Sequence, residues 1–199
     1  PPEKLPNTPV GLKEKTWGPF LPLYALRGEK DWGVGSFREL EEVRTLLQPY
    51  GASWTGTLPL LAGNFDKQDC DPSPYSALSR LFWNEIYLDV DAIAHHYAHA
   101  GAQKIISSPD FQKELTRLRA LSHADYYSVY QLKKKALQAI ARDVFNENFQ
   151  CSADFQNYAK QNPEYREYAA FRSQDRQEQH FHSFVQFEMD RALRGLTKD

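Results

Sequence analysis

The sequence predicts an α/β protein in which a strand–helix–strand unit is followed by a long helical region. Two apolar runs, at residues 20–26 and 52–61, flank a segment with helical periodicity, and no convincing strand follows Ser107. Unbroken apolar runs of this length are typical of strands buried on both faces of a parallel sheet. With the helix between them they form a βαβ unit, in which ligands bind at the carboxyl ends of the strands.

Local signals justify each element of this unit. Pro22 weakens the first strand, because a proline cannot donate a hydrogen bond to a sheet. Ser36 and Glu39 form a capping box that starts the helix. After the second strand, residues 62–80 form an irregular loop of a length that is commonly functional or mobile. Residues 84–90 alternate apolar and polar side chains and predict a further strand.

The second half of the chain is predicted to be helical. Ser108 is followed by a proline and starts one helix, residues 125–147 form a longer one, and Ser152 caps a short one. An Asn-Pro pair at residues 162–163 repeats the first signal. A helix, or a kinked pair of helices, is then expected to continue toward Leu196.

Composition excludes several classes of protein. The 199 residues carry 24 basic and 26 acidic side chains, so no excess positive charge favours nucleic acid as a partner. No apolar run approaches the roughly 20 residues that cross a membrane, and no signal peptide is visible. Two cysteines, Cys70 and Cys151, are too few for a secreted disulfide framework and predict a cytoplasmic protein. The chain does not begin with methionine, and we expect a piece of a longer polypeptide.

Several polar clusters fall short of a chemical signature. His95 and His99 have a spacing that can bind a metal, but no third ligand is evident, and we interpret both as surface histidines, like His182. The acids at residues 66–71 lack the spacing of a calcium loop and predict a turn. The lysine run at residues 133–135 predicts a solvated helix face. The sequence therefore predicts no metal site.

The most suggestive polar segment follows the second predicted strand. At residues 73–76 it reads Ser-Pro-Tyr-Ser, so Tyr75 is held between two turns at the carboxyl end of a strand. A tyrosine in this position can stack on a sugar ring and form a hydrogen bond with it. It can equally be a side chain packed within its own loop. The residues alone leave both interpretations open.

Three segments resemble, in order, the 4-alpha-glucanotransferase family, which includes amylomaltase and disproportionating enzyme. Residues 20–40 (FLPLYALRGEKDWGVGSFREL) are similar to the family's opening strand, Asp-Trp-Gly turn and first helix. Residues 51–61 (GASWTGTLPLL) resemble its second barrel strand. Residues 71–91 (DPSPYSALSRLFWNEIYLDVD) resemble its Ser-Pro-Tyr-Ser segment and the stretch that follows. The resemblance is specific, because order and spacing are kept across all three segments.

The resemblance implies the N-terminal part of a (β/α)8 TIM barrel with a large, mostly helical insertion. Residues 1–91 are expected to hold the first two barrel strands, the first helix and the substrate loop. Residues 92–199 are expected to form a helical insertion subdomain that leads toward the third barrel strand. The first barrel helix lies within the first of these two parts.

The resemblance also implies a reaction. Family members transfer glycosyl units between maltodextrins, which are α-1,4-glucans, by a retaining mechanism that uses two carboxyl groups about 5–5.5 Å apart. The family's catalytic carboxylates follow later barrel strands, so we expect no catalytic residue in this chain, which alone should be inactive. The chemistry needs no organic cofactor and no metal.

The resemblance assigns substrate-binding roles to three residues. Tyr75 is expected to stack on the donor sugar, Ser73 to hold the loop or a sugar hydroxyl, and Asn84 to brace the loop, whereas Asp31 has a structural role in its turn. A barrel fragment exposes strand edges and apolar surface, so we expect self-association. Two alternatives are a non-catalytic maltodextrin-binding module and a helical interaction protein that binds no glucan.

Overall fold

The computed structural model describes residues 16–196, and most of these residues are helical. The α-helices in this range are α1 (Phe37–Leu47), α2 (Val90–His96), α3 (Ala100–Ile106), α4 (Pro109–Arg119), α5 (Tyr126–Val144), α6 (Glu147–Gln150), α7 (Ala153–Gln161), α8 (Tyr165–Arg172) and α9 (Arg176–Leu196). Short 3-10 turns lie at Leu23–Ala25, Gln48–Tyr50 and Glu85–Tyr87. Across residues 16–196, no helix has the length and apolarity that crossing a membrane requires.

The two predicted parallel strands are reduced to isolated bridges. Trp17 pairs with Ala52 and Phe20 with Gly56, both in parallel orientation, and no regular strand forms within residues 16–196. The first run is interrupted at Pro22, after which the chain turns into the 3-10 helix at Leu23–Ala25. The expected orientation of the two runs is therefore present, but the described residues do not show the expected barrel.

The strand predicted at residues 84–90 is wrong. Two polar side chains in this stretch accept hydrogen bonds from nearby backbone N–H groups, which favours turns and helix starts over strands. Asn84 Oδ1 accepts from the Ile86 N–H at 3.2 Å and starts a 3-10 turn. Asp89 Oδ1 accepts from the Ala92 N–H at 3.0 Å and caps α2.

Helix α1 begins where the sequence predicts. The Ser36 N–H donates to Glu39 Oε2 at 2.7 Å, and Ser36 Oγ accepts from the Arg38 N–H, so the predicted capping box is present. The 3-10 turn Gln48–Tyr50 continues α1 and is closed by Gly51, whose φ of 83° is the left-handed conformation that glycine adopts without strain. The start of α1 is readable from the sequence because a capping box lies within one helical turn.

We call residues 107–196 the helical half, and its helices also follow the predicted signals closely. Helix α4 begins at Pro109, Asp125 caps α5, and Ser152 caps α7. The expected kinked pair is α8 and α9, which are separated by residues 173–175 and pack along each other. One detail is wrong: the Asn-Pro pair does not start α8, which begins two residues later behind Glu164.

An aromatic core joins the helices of this half. Phe155 lies 5.2 Å from Phe145 and 5.6 Å from Phe187, measured between ring centroids, and Phe149 lies 5.3 Å from Phe187. Phe184 is fully buried beside them. Edge-to-face and tilted pairs of this kind add to the free energy gained by burying apolar area. The core therefore draws its aromatic rings from α6, α7 and α9, and from Phe145 directly after α5.

The lysine run does not form a solvated face. Lys133 is 2% exposed, and its Nζ donates to the carbonyl oxygens of Ile86 and Leu88 at 2.6 and 3.0 Å. Burial lowers the pKa of Lys133 to about 8, although distant carboxylates act in the opposite direction. This side chain fastens α5 to the 3-10 turn at Glu85–Tyr87, and only Lys135 is exposed.

Candidate functional site

The predicted substrate loop is closed at its base by backbone hydrogen bonds. The sequence predicts an irregular loop at residues 62–80, and in the structure it extends to Trp83, so we call residues 62–83 the substrate loop. The Ala62 N–H donates to the Phe82 carbonyl, and the Leu78 N–H donates to the Ala62 carbonyl, each at 2.8 Å. An antiparallel bridge between Leu61 and Trp83 lies beside them. The loop therefore leaves and re-enters the fold at one place, and residues 71–76 form its tip.

Local hydrogen bonds order the tip of the substrate loop. Ser73 Oγ accepts from the Tyr75 N–H at 3.3 Å, and the Ser76 N–H donates to the Ser73 carbonyl at 3.0 Å. Hydrogen bonds from the Ser76 side chain and the Ser73 N–H lower the pKa of Asp71 below its usual range. Ser73 thus uses its side chain on the loop itself.

Tyr75 is the exposed aromatic residue of this tip. Its relative exposure is 73%, so the ring is not packed within the loop. Exposure on an ordered turn leaves the ring face and the hydroxyl available to a ligand. The contact of Tyr75 with a sugar stays a prediction.

Asn84 lies away from the tip. It is 6% exposed, its side chain accepts from the Ile86 N–H, and its own N–H donates to the Leu60 carbonyl at 2.8 Å. The structure therefore brings Ser73 and Tyr75 together and places Asn84 at the buried base of the loop. This position fits a bracing role.

Asp31 has the structural environment that the sequence predicts. It is 4% exposed, and Oδ1 accepts from the Gly33 N–H at 2.7 Å while Oδ2 accepts from the Gly28 N–H at 3.2 Å. Arg27 pairs with the same carboxylate at 3.2 Å. Gly33 has a φ of 94°, which explains why a glycine follows the Asp-Trp pair.

Asp66, which the sequence predicts to lie in a turn, forms ion pairs with two helices. Its carboxylate oxygens lie 3.2 Å from Lys134 Nζ on α5 and 3.0 Å from Arg172 Nη2 on α8. Burial alone raises the pKa of Asp66, but the two cations outweigh it and hold the pKa below its usual range. Nothing local marks this role, because both partners are distant in sequence.

Behind Asp66 lies a buried polar cluster. Glu85 Oε1 accepts from the Tyr130 hydroxyl at 3.1 Å and from Arg172 Nη1 at 3.4 Å, and His182 Nδ1 lies 3.9 Å from the same oxygen. Burial, followed by the charge of Arg172, lowers the pKa of His182 to about 3. The interpretation of His182 as a surface histidine is wrong, since it is 1% exposed.

His99 also differs from the sequence interpretation. Its Nδ1 accepts from the Ala102 N–H at 2.9 Å and caps α3, while Nε2 lies 3.1 Å from Asp143 Oδ2. His95 is exposed as expected. Within residues 16–196, no group of three or more His, Cys, Asp or Glu side chains is arranged to hold a metal ion.

Comparison with known proteins settles the family. A family model described as 4-alpha-glucanotransferase matches residues 21–198. The chain belongs to the 4-alpha-glucanotransferase family. The matched range includes residues 21–26 of the first apolar run, the whole second run, the substrate loop and the helical half, so the resemblance drawn from three segments extends to nearly the whole chain.

Curated relatives bear the same name and are much longer. The 4-alpha-glucanotransferase of Haemophilus influenzae is 32% identical over 132 residues, which are 66% of this chain and 19% of the relative. That of Mycobacterium tuberculosis is 33% identical over 97 residues, or 42% of this chain and 13% of the relative. The chain thus spans about a fifth of the length of such a 4-alpha-glucanotransferase.

A solved structure supports the fold. Amylomaltase from Corynebacterium glutamicum superposes with a TM-score of 0.68 over 92% of this chain and 28% of that chain, at 19% sequence identity. The helical arrangement of the described residues therefore corresponds to a part of an amylomaltase fold.

Proposed function

We propose that this chain is the N-terminal part of a 4-alpha-glucanotransferase that moves α-1,4-glucan segments between maltodextrins by a retaining mechanism. The observation that carries the proposal is the 73% exposed ring of Tyr75 on an ordered loop in a member of this family. The catalytic carboxylates are proposed to lie beyond this chain. In this account the chain supplies substrate binding and the chain alone does not catalyse transfer.

The substrate loop supplies a sugar-stacking side chain. An exposed tyrosine ring presents an apolar face to the C–H groups of a glucose unit, and its hydroxyl can donate to or accept from a sugar hydroxyl. Holding the donor glucan in a fixed orientation lowers the entropic part of the barrier to transfer. Ser73 contributes by ordering the backbone beneath Tyr75, and Asn84 by bracing the base.

The test uses the full-length enzyme and maltotriose turnover. Tyr75→Ala is expected to lower turnover about fivefold to 150-fold, because a stacking contact is lost and the stacking of a nucleic-acid base on an aromatic side chain, about 1–3 kcal/mol, sets the scale. Tyr50→Ala is the matched control, since Tyr50 is 72% exposed and lies outside the loop. Equal turnover in the two variants removes Tyr75 from the site.

A binding module is the second candidate, and one observation favours it. The substrate loop is fastened to helices within this same chain, through Asp66 and through Trp83. Saturable binding of maltoheptaose to the 199-residue chain, with no change in the chain-length distribution of the glucan, is the expected behaviour. The alternative of a helical interaction protein predicts no glucan binding at all.

We also propose self-association through an exposed aromatic surface. This surface comprises Trp17, Phe20, Tyr50 and Trp54, which are 46%, 60%, 72% and 50% exposed. They are neighbours: Trp17 Nε1 donates to the Tyr50 carbonyl at 3.2 Å, and a Cβ on Gly56 would lie 2.9 Å from the Phe20 ring and 3.4 Å from Trp54. Exposed apolar surface of this kind favours burial against another chain.

Sedimentation velocity at increasing protein concentration tests the aromatic surface. A concentration-dependent rise in sedimentation coefficient is expected for the wild-type chain and a smaller rise for Phe20→Ser. Phe171→Ser is the control, since Phe171 is 64% exposed on α8. A monomer at every concentration contradicts self-association.

A cytoplasmic location is the remaining proposal. Cys70 and Cys151 are both free thiols, which is ordinary in a reducing compartment. Fractionation of cells that express the tagged full-length protein tests this location.

A further inference from the structure

We propose that the helical half positions the substrate loop through two anchors, Asp66–Arg172 at its start and Trp83–Gln186 at its end. We call this pair the loop clamp. The inference rests on the proposed function, because it assigns the clamp a role in presenting Tyr75 to a glucan. It makes Asp66, Arg172 and Gln186 positioning residues that touch no substrate.

The first anchor joins the start of the loop to α8. Arg172 Nη2 lies 3.0 Å from Asp66 Oδ2, and its side chain is 2% exposed. Its other terminal nitrogen is held by Glu85 Oε1 at 3.4 Å and the Tyr168 hydroxyl at 2.8 Å. These contacts fix the orientation of the Arg172 guanidinium, so its pairing with Asp66 costs little further side-chain entropy.

Phe65 strengthens this anchor. Its ring is stacked on Tyr126 at a centroid distance of 5.8 Å and lies 6.0 Å from Tyr130, both on α5. Its carbonyl accepts from Gln131 Nε2 at 3.4 Å. Residues 65–66 are thus held by apolar, hydrogen-bond and charge interactions at once.

The second anchor joins the end of the loop to α9. Gln186 Oε1 accepts from the Trp83 N–H at 2.9 Å, and Gln186 Nε2 donates to the Trp83 carbonyl at 2.7 Å. One side chain therefore satisfies both backbone groups of one loop residue. Gln186 is 1% exposed, and a buried amide with both ends paired is rigid. Phe82 adds a stacked contact with Tyr168 at 4.1 Å.

The two anchors converge on a single rigid unit. Arg172 is on α8 and Gln186 is on α9, and these helices pack along each other. Among residues 16–196, the tip at residues 71–76 has only local hydrogen bonds, so within this part of the chain its placement depends on its two ends. A loop that is already ordered loses less conformational entropy when it binds a ligand. Loosening either anchor should weaken glucan binding without touching Tyr75.

The experiment compares clamp variants with matched controls in the 199-residue chain. Asp66→Asn removes the charge of the first anchor, and Gln186→Leu removes both hydrogen bonds of the second. Glu114→Gln, which breaks an exposed ion pair on α4, and Gln179→Leu, which alters α9 outside the loop, are the controls. Circular dichroism verifies that each variant keeps its helices.

Two readouts separate positioning from folding. The first is the dissociation constant for maltoheptaose, measured by calorimetry. The second is hydrogen exchange at the Leu78 N–H, which lies within the loop, compared with the Ile140 N–H in α5. Each clamp variant is expected to weaken binding about fivefold to tenfold and to speed exchange at Leu78 but not at Ile140. Asp66→Glu, which keeps the charge, should recover most of the affinity.

The outcomes are distinguishable. Unchanged exchange at Leu78 in both clamp variants overturns the clamp, whatever the affinity. A clamp variant that unfolds is replaced by a different substitution that still breaks its anchor, Asp66→Ser or Gln186→Met, and the same exchange criterion applies. If the wild-type chain binds no maltoheptaose, the proposed function fails for this chain, while faster exchange at Leu78 alone still supports the clamp.

Discussion

The apolar runs at residues 20–26 and 52–61 and the helical half use aromatic side chains in opposite ways. Phe20 and Trp54 are 60% and 50% exposed and belong to segments that pair only through isolated bridges. Phe155 and Phe184 are 1% and 0% exposed within a packed helical core. We therefore expect the buried rings of the helical half to contribute more to stability than the exposed rings of the apolar runs, which leave surface available for contact.

The largest effect is expected on the free energy of unfolding, when a buried aromatic residue of the helical half is replaced. Phe184→Ala should lower the free energy of unfolding by about 3–5 kcal/mol, because it leaves a cavity in the core. Phe20→Ala should change it by about 0.5 kcal/mol, as is usual for exposed positions. Urea denaturation followed by circular dichroism measures both. Similar losses of unfolding free energy in the two variants would contradict this difference between the two regions.

The next effect is the acid sensitivity of the helical half. In the folded chain the pKa of His182 is lowered to about 3 from its ordinary value of 6.5, so its imidazole is neutral at pH 7. Between these values the unfolded chain binds the proton and the folded chain does not, so stability rises with pH across this window.

Replacing His182 should remove that slope. Between pH 6.5 and pH 3, the free energy of unfolding of the wild type should fall more steeply than that of His182→Gln. The difference in slope is about 1.4 kcal/mol per pH unit, or a few kcal/mol over the window. His95→Gln is the control, because His95 is exposed. Parallel pH curves for the wild type and His182→Gln would contradict the burial of a neutral His182.

A smaller effect is expected at alkaline pH from Lys133. The folded pKa of about 8 lies below the ordinary value of 10.5, so the unfolded chain holds more protons between these values and stability rises with pH. Lys133→Met lacks this rise and loses about 1–3 kcal/mol at pH 7 from two unpaired carbonyl groups. Lys135→Met, at an exposed position, should behave as wild type. Thermal denaturation at several pH values distinguishes the two variants.

The smallest effect concerns the cap of α1. Ser36→Ala removes one side of the capping box and should cost about 1 kcal/mol. Ser53→Ala is the control, since Ser53 is exposed and caps no helix. The measurement is the urea midpoint, and equal midpoints for both variants would show that α1 does not depend on its cap.

These predictions also mark what could be read from the sequence. Ser36 and Ser152 were found as caps because a cap and its partner amide lie within one helical turn. The alternation of apolar and polar residues at 84–90 wrongly predicts a strand, because the side chains of Asn84 and Asp89 start helical turns. Short-range polar contacts there decided the local structure against the apolar pattern.

The candidate site was predictable in part for the same reason. The Ser-Pro-Tyr-Ser segment marks itself locally, so the sequence indicates Ser73 and Tyr75 as candidates, and their contact with a sugar stays a prediction. The residues that fasten the loop, Arg172 and Gln186, lie about a hundred positions from their partners, at separations of 106 and 103 residues. No pattern within one window of sequence links such pairs.

Binding of a glucan to the exposed ring of Tyr75 is tested by an NMR titration of the tyrosine-labelled 199-residue chain with maltoheptaose. We expect saturable shifts of the Tyr75 ring resonances, assigned with Tyr75→Phe, and none for the equally exposed Tyr50. Unmoved Tyr75 resonances at saturating maltoheptaose, or equal shifts at Tyr50, would contradict it.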